Sequence, residues 1–100
     1  MKYKINEIER LEYYRDILFM KLDNGEESIF AFGETIKIQE IINFISILIN
    51  YVISYNKIIF TSQEVLDFAH EVSPEHNYGF IFMFLVVENF ILKKEVNNAV

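Results

Sequence analysis

Apolar residues change their spacing several times along this chain, and each change predicts an element. Asp16-Ile17-Leu18-Phe19-Met20-Lys21-Leu22 and Ser28-Ile29-Phe30-Ala31-Phe32 are rich in strand-favouring residues. Between them stands Asp23-Asn24-Gly25-Glu26, whose Asn and Gly tolerate the positive φ of tight hairpin turns. An N-terminal β-hairpin over about 14–32 is expected. Upstream, Ile5, Ile8 and Leu11 have helical spacing while Tyr3 and Ile5 alternate as in a strand, so residues 1–13 stay open between the two. Gly33-Glu34-Thr35 interrupts the pattern, and a long helix follows over about 38–55. Its polar residues Gln39, Asn43, Ser46, Asn50 and Ser54 form one narrow stripe, and nearly all else is apolar. A helix apolar around most of its circumference belongs in a core or against another subunit. The uninterrupted apolar run falls short of the roughly 20 residues that a membrane crossing needs, so no membrane role is expected.

Asn56-Lys57 ends that helix, and Lys57-Ile58-Ile59-Phe60 reads as a short strand. Thr61 then supplies a hydroxyl N-cap, with Glu64 three residues on as a capping box requires. Val65, Leu66, Phe68 and Ala69 are the buried face of the next helix. Glu64, Asp67 and Glu71 form its acidic outer stripe, continued by Glu75. Ser73-Pro74-Glu75 separates it from a last helix over Tyr78 to Val87, with Pro at a first-turn position. Phe90-Ile91-Leu92-Lys93-Lys94 turns into a strand, and the polar tail after it is expected to fray. The whole predicts one α+β domain over residues 1–100: a hairpin, a long buried helix and a helix-turn-helix half.

Residues 58–96 resemble a winged helix-turn-helix, on Thr61, Glu64, Val65 and Ala69 in one helix and on Leu85 and Asn89-Phe90-Ile91 at the end of the other. The resemblance implies that the second of these helices enters the major groove. It also makes Lys93 and Lys94 candidate wing contacts to phosphate. The residues on that helix imply something else. Tyr78, Ile81, Phe82 and Leu85 would meet the core, leaving His76, Phe80, Met83, Phe84 and Val87 on the other side. Base reading needs Arg, Lys, Asn or Gln there, and none is present. This face is expected to bind a partner, unless the N-terminal part of the chain covers it as internal core.

Composition sharpens this reading. With 52% apolar and 16% aromatic residues in 100, some apolar surface must remain outside, which favours a homodimer or a protein complex. The net charge is −6, from nine basic and fifteen acidic residues. Tight duplex binding uses on the order of 6–10 phosphate contacts, a number within reach only of a dimer. There is no cysteine, and no basic region leads into an apolar run at the N-terminus, so a cytoplasmic setting is expected. His70 and His76 lack a third spaced ligand, so no metal is expected. Gly25, Gly33 and Gly79 are isolated and form no phosphate loop. No nucleophile stands beside a base, so neither catalysis nor a cofactor is expected. The expected function is that of a small acidic, non-enzymatic binding protein acting through protein–protein contact. One form of this is inhibition of a nucleic-acid-handling machine, as small acidic viral inhibitors achieve with carboxylates that mimic phosphate. The alternative is a dimeric winged-helix DNA-binding transcription regulator.

Overall fold

A computed structural model describes residues 2–73 and 79–94, with the backbone alone at Phe80, Phe82, Met83, Lys93 and Lys94. Its elements are β1 (Lys2–Ile5), α1 (Ile8–Asp23), β2 (Ser28–Ala31), β3 (Glu34–Lys37), α2 (Ile38–Tyr55), β4 (Ile59–Thr61), α3 (Ser62–Val72), α4 (Gly79–Val87) and β5 (Ile91–Lys94). The fold is α+β.

The hairpin expected over 14–32 is replaced by a helix over most of that range, and the true hairpin lies further on. Leu11, Leu18 and Leu22 recur on one side of α1, and the first two are fully buried. Asn24-Gly25 ends this helix instead of reversing a strand. The Gly25 N–H donates to the Leu22 carbonyl and the Glu26 N–H to that of Lys21, with Gly25 at φ +88°. That is a Schellman cap, which needs the same positive φ as a hairpin turn. β2 and β3 then pair antiparallel with Ala31 opposite Glu34. Their two-residue loop, Phe32-Gly33, has φ of +56° and +76°, the signs of a type I′ turn. Residues 1–13 contain both readings left open by their spacing, a strand and then the start of α1.

α2 occupies the predicted span. Ile38, Ile41, Ile42, Phe44, Ile45, Leu48 and Ile49 are buried along it, and Gln39 and Asn43 form a hydrogen bond on its polar stripe. By length and composition α2 would suffice to cross a membrane. Its apolar face is instead occupied by the protein's own core, as in the central helix of a globule. It ends at Asn56, which takes φ +51°.

β1 runs through the middle of a three-stranded antiparallel sheet, with β4 on one side and β5 on the other. Tyr3 faces Phe60 across one edge, and Ile5 faces Ile91 across the other. These four side chains are buried, while Lys2 and Lys4 alternate to the exposed side. α3 starts with the expected capping box: the Glu64 N–H donates to Thr61 Oγ1 and the Thr61 N–H to Glu64 Oε1. Val65, Phe68 and Ala69 from α3 and Ile81 and Leu85 from α4 complete the core.

Candidate functional site

α1 and the end of α4 are held together by one polar and aromatic clamp. The Arg10 guanidinium donates to the carbonyls of Asn89 (3.0 Å) and Glu88 (3.1 Å) and lies 4.5 Å from the Phe90 ring centre. Asn6 donates to the same Asn89 carbonyl at 2.9 Å. These carbonyls carry the negative end of the helix dipole, so a cation is well placed there. One turn along α1, Tyr14 stacks on Phe90 at 4.8 Å and on Phe84 at 6.1 Å. Burial, with a smaller contribution from the Glu88 carboxylate, pushes the Tyr14 phenol up to about 12. Asn89 takes φ +62°, the left-handed conformation expected of the residue after this helix.

Beside this clamp the surface is apolar and open. Val87 on α4 is 62% exposed, and Tyr13 and Met20 on α1 are 68% and 63% exposed. Ile17 on α1 is half-buried. Of the expected partner-binding residues, Val87 is therefore free at the surface. Phe84 is not: it is half-buried against Tyr14, so part of the face is closed by α1, an element expected to be a strand. Within α4, Phe80, Met83 and Val87 stand at i, i+3 and i+7, a spacing that keeps them on one side of a helix. The side chains of Phe80 and Met83, and His76 altogether, lie outside the described residues. Tyr13 and Met20 were not foreseen, because the hairpin expected from about residue 14, with residues 1–13 left open, hid the side of α1 that they share.

The acidic stripe of α3 is only partly a free surface. Glu64 is half-buried in its capping box and is paired with Lys57 at 3.0 Å. Its carboxyl sits below the usual range, first because the Thr61 N–H donates to it and then because of Lys57. Glu64 thus holds a helix end while keeping part of its side chain at the surface of the acidic stripe. Asp67 accepts from Gln63 at 2.8 Å. Glu71 is exposed beside an open cleft of about 350 Å³ lined by Ser46, Ile47, Asn50, Tyr51 and Phe68. Glu75 lies outside the described residues.

Several cations are committed within the fold. Besides Arg10 and Lys57, Lys21 pairs with Glu26 at 3.6 Å and Arg15 donates to Ser46 Oγ at 3.2 Å. Backbone register sets Lys94 opposite Lys2 and Lys93 opposite Tyr3; the two C-terminal lysine side chains lie outside the described residues. Among the described residues no three His, Asp or Glu are grouped to hold a metal ion. Comparison of the chain with family models, with curated proteins and with solved structures found no match in any of the three.

Proposed function

We infer that this is a non-enzymatic binding protein that docks a protein partner on the open side of α1 and α4. The observations that carry this reading are the exposure of Tyr13 and Met20 on one side of α1 and of Val87 on α4, with the Tyr14–Phe84 stack joining the two helices. Large apolar side chains brought together on a surface mark contact sites more often than isolated ones do. Enclosing each of the three contributes about 1–2 kcal/mol once the fraction already buried is discounted. The stacked rings beneath them are already ordered, which lowers the entropy cost of docking. No metal, cofactor or catalytic residue enters this function, and the cysteine-free sequence fits a cytoplasmic setting.

The test is affinity capture with quantitative mass spectrometry, comparing the native chain with a Tyr13→Ser/Val87→Ser variant of matched circular dichroism. Partners retained by the native chain and lost by the variant support the site. An identical set of proteins on both would remove it.

One observation favours a second reading, a dimeric winged-helix regulator of DNA. The backbone register sets Lys94 opposite Lys2, two basic positions at one end of the sheet. The element order β4, α3, α4, β5 also suits that family. Against it stands the commitment of Arg10, Arg15, Lys21 and Lys57 within the fold. A gel shift with duplex DNA that weakens steeply as salt rises would favour this reading, because released counterions drive such binding.

A further inference from the structure

α1 separates its charges by side. Its cations Arg10, Arg15 and Lys21 all point to partners within the fold: the end of α4, Ser46 and Glu26. Its carboxylates Glu9, Glu12, Asp16 and Asp23 recur at i, i+3, i+7 and i+14 and so share one side of the helix. Glu9, Asp16 and Asp23 are exposed and Glu12 is half-buried. None of the four forms an ion pair among the described residues. This acidic row runs beside Tyr13 and Met20, which are exposed on the same outer side of α1.

We propose that the partner docked here is a basic amphipathic polypeptide, whose apolar side covers Tyr13 and Met20 while lysines or arginines face Glu9, Glu12, Asp16 and Asp23. The proposal rests on the reading of α1 and α4 as a protein-binding surface and names the chemistry of what binds. A second copy is a poor occupant. A two-fold axis that lays one α1 antiparallel on the other would set this acidic row against its own copy, and like charges brought together across an interface suppress association. A basic partner turns the same charges into attraction and speeds encounter.

The test uses two fluorescein-labelled model helices, one of leucine and lysine and one of leucine and glutamate. Their binding to the full chain is read by anisotropy at about 50 mM and about 300 mM salt, which brackets the onset of strong screening. The lysine peptide should bind, more weakly at high salt, and the glutamate peptide should not. Glu12→Lys/Asp16→Lys should weaken the lysine peptide by about tenfold, since attraction becomes repulsion at two positions. Asp67→Lys/Glu71→Lys, the same two charge reversals placed on α3, should leave it within about twofold. Equal weakening by Asp67→Lys/Glu71→Lys would show that net charge alone attracts the peptide and would overturn the proposal. If Tyr13→Ser/Met20→Ser abolishes binding while Glu12→Lys/Asp16→Lys does not, the surface stands and its basic partner falls. If neither variant weakens binding, both fall. Sedimentation showing a native dimer that Tyr13→Ser/Met20→Ser dissociates would replace the basic partner with a second copy.

Discussion

Replacing Arg10 with Met tests whether the two ends of the chain are fastened at the α1–α4 clamp. The substitution keeps an apolar stem near Phe90 and removes the guanidinium, with its bonds to the Asn89 and Glu88 carbonyls and its place over the Phe90 ring. Neither carbonyl becomes a buried orphan: Asn89 keeps its bond from Asn6, and Glu88 is exposed to water. The loss is therefore that of exposed charge-assisted hydrogen bonds, a helix-terminus cation and a surface cation–π contact, at about 0.3–1 kcal/mol for each of the last two. Together these come to about 1–2 kcal/mol. For a domain of this size each kcal/mol shifts Tm by about 4–8 °C. Urea unfolding should show a lower midpoint with an unchanged slope, because the surface exposed on unfolding is the same. A double-mutant cycle with Phe90→Leu should return a coupling of about 0.5 kcal/mol or more. An unchanged midpoint, or a coupling of zero, would refute the clamp.

Four further outcomes follow from local geometry. Asn89→Val should cost about 1 kcal/mol or more because a β-branched residue resists φ +62°, whereas Asn89→Gly should be close to neutral by urea titration. Thr61→Val should cost about 1 kcal/mol by removing the Oγ1 that caps α3. Because Glu64 is held below its ordinary value of 4.5, its stabilisation is present above that pH and is lost as pH falls through the folded-state value; the native chain should show this acid loss and Glu64→Gln should lack it. Tyr14 runs the other way: its phenol is raised from 10.0 to about 12, so its contribution is complete below pH 10 and disappears between 10 and 12, and Tyr14→Phe should flatten that alkaline limb of the stability curve.

The contrast between α2 and α1 shows what the sequence made legible. α2 announced itself because one polar stripe and a long apolar remainder fit a helical period and nothing else, and its observed limits are those expected. The Thr61–Glu64 box was equally plain, since its two residues act on each other across one turn. α1 was missed through an ambiguity of physical origin. Ile17-Leu18-Phe19 has strand-favouring character, and Asn24-Gly25 signals positive φ without saying whether a hairpin or a helix end requires it. The better signal was Leu11, Leu18 and Leu22, which share a side only in a helix. Misreading α1 also hid Tyr13, Met20 and the acidic row. Phe84 was assigned to the open face because nothing in α4 itself reveals that Tyr14 lies against it. The side of α4 that bears Val87 was legible, because the spacing of Ile81 and Leu85 fixed which side had to turn inward.

The central position of β1 has a consequence for the order in which the molecule is made. β4 and β5 are not paired with each other; β1 is the seam between them, and of the described strands β5 is made last. β1 must therefore wait for the intervening elements before its second edge is closed, and such distant pairing slows folding. A nascent chain stopped short of Ile91 would carry an unsealed strand with Ile5 uncovered.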